Sequence, residues 1–493
     1  VTNVAPSSKP LWGAKVATFI NRERAERTAE FLRERGIEVD LLSMGGEVEW
    51  GEAGELDTTV TAVVIGRLES IETVLERARE QLLAIPAEDS RIVAGLRRYD
   101  DEIPRLEAVR LNPPVGGQIL IQREDGTISA TVSSPLICTP NDPSKQFELA
   151  DVTIGIQFHW QHDETLAFCG ALEIVADEDR LTAVNEVDLD DYLASLLGSE
   201  MRLDWPDEAL AAQAIAARST VLATRSRHHY GEAYQLCHDD HCQCYQGVSR
   251  ESETSRRILE SVRGQVLTYD GRVADARYAK TSGVLTDAHE IAWDDEIIPY
   301  LTPVPCGPSE GRYQDEVKKA MTRSGEENLR EWLANPPEWS ACNPASHPYP
   351  PSAEEMKDLF IWREELSWDR VTELVKLRTG VDIGEIHHLE PLERGISGRI
   401  VYLRVHGSEG TITLGKELTI RRLLSDSHLP SSAFIVSEKN EGIALDGLGW
   451  GHGVGLCQLG ACGLAAKGWD RVRILDIFYP GARLQSGGST VDH

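Results

Sequence analysis

The sequence predicts a multidomain α+β protein, in which a small α/β N-terminal domain precedes a larger β-rich domain with a central buried helix pair. Three observations favour this class. The chain has 493 residues, which is enough for two or three domains. Two strand–helix units lie within roughly the first 85 residues. Between residues 185 and 247, two consecutive helical patterns are rich in leucine and alanine.

Charge and hydropathy argue against two kinds of partner. Acidic residues outnumber basic ones by 80 to 50, so the net charge is −30 and a nucleic acid would be repelled. No apolar run approaches the ~20 residues that span a bilayer, so we expect no transmembrane segment. The nine cysteines are an odd number and five lie inside motifs, which argues against a simple secreted disulfide framework.

The N-terminal domain, predicted at residues 1–90, repeats a strand–helix unit. Its pattern resembles that of SPOR domains, which bind glycan strands stripped of stem peptides. An unrelated ferredoxin-like accessory domain is the alternative, because such patterns are common. The predicted elements are the strands Lys15–Phe19, Ile37–Leu42 and Val60–Ile65 and the helices Asn21–Arg35 and Ser70–Leu83.

A β-rich subdomain is predicted for residues 91–170. Proline, glycine and aspartate interrupt its short apolar runs. Within it, residues 119–132 fit a hairpin whose turn contains Asp125 and Gly126.

The core of the larger domain is predicted at residues 171–304, around two helices. Asp188 is a suitable N-cap for the first, which should end near residues 198–201 because Pro206 forces its predecessor out of the α region. The second begins at Pro206 and is so rich in alanine that it should be buried. Glu200 falls at the link, where a carboxylate can face a cleft and act as a general acid.

Several motifs resemble the signature of the SpoIID/LytB family of peptidoglycan-acting proteins. EM, WP-x-EAL and AQAIAARS lie at residues 200–201, 205–210 and 212–219. GWGHGVGLCQLGACGLAAKGW, at residues 449–469, resembles the family's glycine-rich closing motif. YAKTSGVLTDAHEIAW, at residues 278–293, resembles its substrate loop, although Val284 replaces the usual second glycine. Further segments that resemble the family lie at residues 185–193, 263–271, 393–403 and 420–424.

The resemblance implies a SpoIID-like catalytic domain with lytic transglycosylase activity. Such enzymes cut between N-acetylmuramic acid (MurNAc) and N-acetylglucosamine (GlcNAc) and leave a 1,6-anhydro product, so one acid/base residue suffices, here Glu200. Asp204 is the nearest second carboxylate and is not expected to take part in the chemistry. The alternative is a non-catalytic glycan-binding module or an amidase enhancer. The departure at Val284 favours that alternative.

Polar residues of the same motifs are predicted to orient the sugar. Gln213 and Arg218 could equally hold the second helix by binding backbone carbonyl groups. His452 lies between two glycines, which allow backbone to approach a ligand closely. The predicted substrate-binding residues are Gln213, Arg218, Tyr245, Ser282, Thr286, His452 and Gln458.

A cluster of cysteine and histidine predicts a zinc site. Cys237, His241 and Cys242 lie within six residues, and His229 or His228 would complete a Cys2His2 set, with His229 preferred. The pattern resembles the zinc-bearing branch of the SpoIID family, where the metal is structural. A disulfide, free thiols and a zinc hydrolase with an open coordination position remain alternatives.

The rest of the chain completes the predicted domains. Residues 305–395 predict an insertion or lid over the cleft, followed by the helices Ala353–Leu366 and Trp368–Arg378. Residues 396–493 predict the C-terminal part of the SpoIID-like domain. The resemblance implies glycan strands of peptidoglycan, stripped of stem peptides, as the partner and allows a cell-wall amidase as another. We expect an exported, periplasmic or cell-envelope protein, whose signal peptide is not among these residues.

Overall fold

The fold is seen in a computed structural model, which confirms a multidomain α+β protein. No helix in the described part of the chain is both long and apolar enough to cross a bilayer. The structure describes residues 2–4, 9–50, 54–90, 96–114, 116–123, 125, 127–142, 144–156, 161–177, 180–294, 296–309, 311–346, 349–350 and 357–487.

The N-terminal domain packs two helices on an antiparallel sheet of strand order β3-β6-β2-β7. This is the arrangement of a ferredoxin-like βαββαβ unit. The resemblance to SPOR domains stays a prediction. The elements up to this sheet's last strand are β1 (Thr2–Val4), β2 (Trp12–Phe19), α1 (Arg22–Arg33), β3 (Val39–Met44), β4 (Glu47–Glu49), β5 (Glu55–Asp57), β6 (Val60–Leu68), α2 (Ile71–Leu83), α3 (Ala87–Ser90) and β7 (Glu107–Arg110).

The N-terminal domain does not end at the predicted boundary, residue 90. Its sheet takes its last strand from β7, beyond that residue. In the other direction, β4 and β5 extend a sheet of the core. Between them, the indole of Trp50 is buried and donates a hydrogen bond to the carbonyl of Gly264 (2.9 Å). The two predicted domains are therefore interleaved.

The strand-rich region after β7 forms three small sheets. The predicted hairpin is confirmed as β8 and β9, in which Asp125 accepts a hydrogen bond from the amide of Thr127 (2.9 Å). Gly126 of the predicted turn lies outside the described residues. The strands are β8 (Gln118–Gln122), β9 (Ile128–Ser133), β10 (Leu136–Cys138), β11 (Phe147–Ile154), β12 (His162–Phe168), β13 (Ala171–Asp177) and β14 (Arg180–Glu186).

The central helix pair is confirmed. Asp188 caps the first helix through the amide of Asp190, and Pro206 immediately precedes the second. Every residue of the second helix from Ala209 onwards is buried, because its alanines let other backbone approach on all sides. The elements of this part are α4 (Leu189–Glu200), α5 (Asp207–Thr224), α6 (Glu253–Ser261), β15 (Gln265–Tyr269), β16 (Arg272–Val273), β17 (Tyr278–Ala279) and α7 (His289–Ala292).

The predicted helix Ala353–Leu366 is wrong over most of its length. Residues 353–356 lie outside the described part, and only Lys357–Phe360 are helical. The next seven residues form a strand because they pair with β23 from Ile361↔Leu448 to Ser367↔Gly442. The second predicted helix is confirmed. The helices are α8 (Gln314–Ala320), α9 (Gly325–Ala334), α10 (Lys357–Phe360), α11 (Trp368–Thr379), α12 (Glu417–Leu423), α13 (Gln458–Ala466) and α14 (Arg471–Phe478).

The remaining strands belong to four of the sheets. They are β18 (Ile361–Ser367), β19 (Ile386–Arg394), β20 (Ile400–Gly407), β21 (Gly410–Gly415), β22 (Phe434–Lys439), β23 (Gly442–Leu448), β24 (Leu456–Cys457) and β25 (Arg483–Ser486). β24 pairs in parallel with β17, so the closing motif lies beside the substrate loop.

The predicted lid is a packed part of the core. Trp339 and Cys342 in this insertion are buried, and the amide of Ala341 donates to the carbonyl of Cys306 (2.6 Å). The amide of Cys306 in turn donates to the carbonyl of Val284 in the substrate loop (2.9 Å). This part of the insertion thus packs against the substrate loop. The prediction of a lid over the cleft is not supported there.

A buried ion pair joins three segments that are far apart in sequence. Arg399 and Asp287 both have fully buried side chains, with 3.6 Å between Nη1 and Oδ2. The guanidinium also donates to the carbonyls of Ser282 (3.2 Å) and Gly451 (3.2 Å) and to the hydroxyl of Ser397 (3.0 Å). One side chain therefore binds the substrate loop, the closing motif and the turn before β20.

The closing motif has a glycine where this guanidinium lies. Gly453 has a φ of 72°, and a Cβ there would come within 2.3 Å of the Arg399 Cζ atom. Only glycine fits both the backbone conformation and the space.

Replacing Arg399 by methionine should lower the free energy of unfolding by about 3–5 kcal/mol, because the Asp287 carboxylate is left buried without its cation. Urea denaturation followed by tryptophan fluorescence measures the change. The control is Arg363→Met, which removes an exposed guanidinium paired with Glu365 and Asp446 and should have no measurable effect. Equal effects of the two substitutions would contradict the role given to Arg399.

Candidate active site

Glu200 is the last residue of α4, and its half-buried side chain lines a pocket of about 140 Å³. The helix ends here because Met201 adopts an extended conformation before Pro206. The pocket is lined by Gly198, Ser199, Glu200, Met201, Arg202, Trp205 and Lys280. A carboxylate at this position can meet a ligand.

Two glutamines connect Glu200 to the closing motif. The side-chain amide of Gln458 donates to Glu200 Oε2 (3.3 Å) and lies 3.5 Å from Gln213 Oε1. Gln213 and Gln458 are both buried. Gln458 therefore holds the Glu200 carboxylate, and Gln213 in turn contacts Gln458. We interpret them as positioning residues, which corrects the prediction that they bind sugar directly.

Lys280 also belongs to the site, and Tyr278 lies close enough to sense the charge of Glu200, although neither was predicted from the sequence. The ammonium group of Lys280 donates to the backbone carbonyl of Glu200 (2.8 Å) and lines the pocket. Burial, and then the charge of Glu200, raise the pKa of Tyr278, so its hydroxyl stays protonated. That hydroxyl is buried with no hydrogen-bond partner among the described residues. Both residues lie in YAKTSG, where we selected a serine instead.

Arg218 lies outside the pocket and holds α5 in place. Its side chain is buried and donates to the carbonyls of Val262 (2.8 Å) and Gln265 (3.1 Å). It also pairs with Asp190 in the first turn of α4 (2.7 Å). Arg218 therefore holds the second helix by binding backbone carbonyl groups, as the alternative prediction had it, and its predicted contact with sugar is wrong.

Tyr245 is a core residue. Its ring stacks on Tyr192 with 4.8 Å between centroids, and its hydroxyl donates to Asn185 (2.8 Å). Because the side chain is buried, the prediction of a sugar contact is not supported.

Ser282 and Thr286 are buried within the substrate loop. The amide of Ser282 donates to the Cys457 sulfur (3.2 Å), and the Thr286 hydroxyl accepts from the amide of Val304 (2.8 Å). Neither residue lines the pocket, so the prediction that they contact sugar is wrong. Both residues instead stabilise the substrate loop. Val284 is likewise fully buried in the main core, and the substitution there leaves the pocket lining unchanged.

His452 packs away from the pocket, against Trp293, with 4.6 Å between ring centroids. Its Nδ1 atom accepts a hydrogen bond from the amide of Val454 (3.0 Å). Burial, followed by the charge of Arg277, lowers its pKa well below the usual value, so the ring is neutral. This arrangement fixes the glycine-rich loop and does not support the predicted contact with substrate.

The predicted metal ligands converge. The ligand atoms of His229, Cys237, His241 and Cys242 all lie within 4.8 Å of one another. The Cys242 sulfur lies 3.3 Å from His229 Nε2, and the Cys237 sulfur lies 4.0 Å from His241 Nδ1. Ligands bonded at about 2.0–2.3 Å around a tetrahedral zinc ion have separations of this order.

The chemistry of the cluster also fits zinc. Hydrogen bonds from Cys242 and from two histidines lower the pKa of Cys237 to about 2, which favours the thiolate that a metal needs. His228 does not belong to this set, and Cys244, which follows closely in sequence, lies outside it. Four protein ligands would fill a tetrahedral ion, so the set suits a structural metal better than a hydrolytic one.

Gln243 connects the loop of the predicted zinc ligands to the helix pair. Its side chain accepts a hydrogen bond from the Tyr192 hydroxyl on α4 (3.2 Å) and donates to the carbonyl of Ala217 on α5 (3.4 Å). Because Gln243 follows Cys242 directly, a metal held there would stabilise the position of both helices.

Two family models match the chain. Residues 177–269, which contain Glu200 and the metal-binding cluster, match the stage II sporulation protein family, SpoIID. Residues 287–455 match a domain of unknown function, DUF8618, and this segment contains the Arg399–Asp287 pair.

Individual relatives match over a longer part of the chain. An uncharacterized protein of Brachyspira hyodysenteriae is 25% identical over 335 residues, 66% of this chain and 75% of that protein. Stage II sporulation protein D of Bacillus subtilis is 23% identical over 316 residues, 61% of this chain and 76% of that protein. The amidase enhancer of Bacillus subtilis is 26% identical over 304 residues, 60% of this chain but 40% of that longer protein.

The purified chain should contain tightly bound zinc, measurable by inductively coupled plasma mass spectrometry. Cys242→Ser should lose the metal and lower the melting temperature, because the loop that carries Gln243 is released. Cys244→Ser removes a neighbouring cysteine outside the set and should keep the bound metal and the melting temperature of the wild type. Metal loss in both variants, or in neither, would contradict the assignment.

Proposed function

We propose that this chain, which is similar to stage II sporulation protein D and to an amidase enhancer, is a lytic transglycosylase of the cell envelope. Its substrate would be the MurNAc–GlcNAc bond of glycan strands. Its products would carry 1,6-anhydroMurNAc ends.

The observation that carries this proposal is the composition of the pocket. Among the described residues that line it, Glu200 is the only carboxylate. Hydrolysis of a glycosidic bond ordinarily requires two carboxyl groups that flank the bond. A transglycosylase uses the sugar's own hydroxyl as the nucleophile, so one acid/base residue is sufficient.

In the proposed reaction, the Glu200 carboxyl group first donates its proton to the oxygen that leaves with GlcNAc. The bond between that oxygen and C1 of MurNAc breaks, and O6 of the same MurNAc bonds to C1. The resulting carboxylate takes the proton from O6, so Glu200 ends as it began and no water is consumed. Gln458 would keep the carboxylate aimed at the bond throughout.

The charge of the pocket supports a preference for strands without stem peptides. Removing a stem peptide exposes the lactyl carboxylate of MurNAc. Arg202 and Lys280 line the pocket of a chain whose net charge is −30, so they provide local positive charge for this anion. A lactyl group that still carries a peptide is an amide and lacks that charge.

A second candidate function is the stimulation of a cell-wall amidase. The similarity to the amidase enhancer of Bacillus subtilis favours it, and it requires glycan binding without bond cleavage. The N-terminal domain could hold the same strand in either case. Export from the cytoplasm is part of both proposals.

Incubation with glycan strands freed of stem peptides should yield anhydroMurNAc ends with the wild type and none with Glu200→Gln. The substitution keeps the shape of the side chain but removes the proton that it donates. Mass spectrometry of the products measures the difference. Asp204→Asn is the matched control, since it neutralises a nearby exposed carboxylate outside the pocket lining and should remain active.

Three other results would contradict, in turn, the transglycosylase activity, the role of Glu200 and the single-carboxylate mechanism. If the wild type binds strands without cutting them, the second candidate function takes its place. If Glu200→Gln still produces anhydroMurNAc ends, the acid/base residue is elsewhere. If Asp204→Asn is inactive too, the single-carboxylate mechanism fails.

A further inference from the structure

Three cysteines meet in the core, outside the pocket and the metal-binding cluster. The sulfur atoms of Cys306, Cys342 and Cys457 all lie within 4.8 Å of one another, and the three residues are fully buried. The sulfur atoms of Cys342 and Cys457 are 3.1 Å apart. We call these three residues the thiol cluster.

The thiol cluster joins the insertion to the closing motif. Cys306 and Cys342 belong to the insertion, whereas Cys457 is the N-cap of α13 and immediately precedes Gln458. The Cys457 sulfur accepts hydrogen bonds from the amides of Ser282 (3.2 Å) and Gly460 (3.2 Å). The cluster therefore lies at the point where the insertion, the substrate loop and α13 meet.

A glycine provides the space for the closest pair. A Cβ at Gly460 would lie 3.2 Å from the sulfur of Cys342 and 3.2 Å from that of Cys457. Any larger residue would press on both sulfurs. The first turn of α13 thus accommodates the two sulfurs side by side.

In the folded protein the same contacts favour the thiolate form of Cys457. Burial alone would raise its pKa, but hydrogen bonds from Cys306, Cys342 and two backbone amides lower the pKa well below its usual value. The thiolate is the form of cysteine that attacks a disulfide.

Charge decides between a metal and a disulfide at this cluster. Three thiolates around a monovalent or divalent cation would leave net negative charge at a fully buried site, which is costly. A disulfide is neutral. The gap of 3.1 Å between the sulfurs of Cys342 and Cys457 exceeds a disulfide bond of about 2.05 Å by an amount that side-chain rotation can close.

We propose that Cys342 and Cys457 form a disulfide in the mature protein and that Cys306 remains a thiol. The oxidant is a second disulfide, from a small molecule or a protein. The Cys457 thiolate attacks one of its sulfurs, which releases one thiol of the oxidant and forms a mixed disulfide. The Cys342 thiolate then attacks the Cys457 sulfur of this mixed disulfide and displaces the second thiol of the oxidant. The two cysteines lose two electrons and two protons in total, and the oxidant leaves as two thiols. Because the cluster is buried, the exchange takes place before the insertion docks.

The proposed disulfide closes a loop between residues 115 positions apart. It restricts the unfolded chain and fastens the insertion to the N-terminus of α13, directly beside Gln458. The inference depends on an oxidising compartment but not on the proposed reaction, so it can fail or succeed independently of Glu200.

Peptide mapping of the full chain, secreted into an oxidising compartment, tests the pairing. Free thiols are alkylated in denaturant, and the digest is analysed by mass spectrometry without reduction. We expect a cross-linked peptide pair that contains Cys342 and Cys457, with alkylated Cys306. Alkylation of all three cysteines, a cross-link through Cys306 or a metal ion retained by the cluster would overturn the proposal.

A matched pair of variants tests the effect on stability. Oxidation should raise the melting temperature of the wild type and of Cys462→Ala, which removes another buried cysteine of α13 outside the cluster. Cys342→Ala should show no such rise. If the rise persists in Cys342→Ala, the proposed bond does not cause it. If Cys342→Ala does not fold, peptide mapping of the wild type still decides the pairing.

Discussion

The buried ion pair between Arg399 and Asp287 is the constraint on which the site depends. A fully buried guanidinium must satisfy its donors within the protein, and here it does so with carbonyls from both the substrate loop and the closing motif. That requirement fixes where the two segments lie. Once they are fixed, Gln458 reaches Glu200 from one side and Lys280 reaches it from the other.

The helix pair and the metal-binding loop place the carboxylate from the opposite direction. Arg218 joins the buried α5 to the first turn of α4, and Gln243 joins both helices to the loop of the four predicted zinc ligands. Glu200, at the end of α4, is thereby held by contacts from both halves of the core. A pocket with one carboxylate can perform acid/base chemistry only if that carboxylate is oriented accurately towards the bond. These contacts fix its orientation.

The sequence predicts features that arise from local patterns and fails where distant contacts decide. The helix pair and the Asp188 cap follow from spacing and residue type, and the structure confirms them. The four residues predicted as zinc ligands also lie close together, although the metal itself stays a prediction. The strand from Ile361 could not be recognised, because its partner β23 lies about 80 residues away and overrides local helical propensity. Motif membership identified Glu200 but could not separate residues that face the pocket from those, such as Thr286, that support its loops.

In the proposed reaction, one carboxylate gives a proton to the oxygen that leaves with GlcNAc and takes one from O6 of MurNAc, and water takes no part. Reaction with glycan strands in water enriched in oxygen-18 tests this claim directly. We expect anhydroMurNAc ends that contain no oxygen-18, because O6 of the same sugar forms the new bond to C1. New reducing ends that carry one oxygen-18 atom would show hydrolysis and contradict the account.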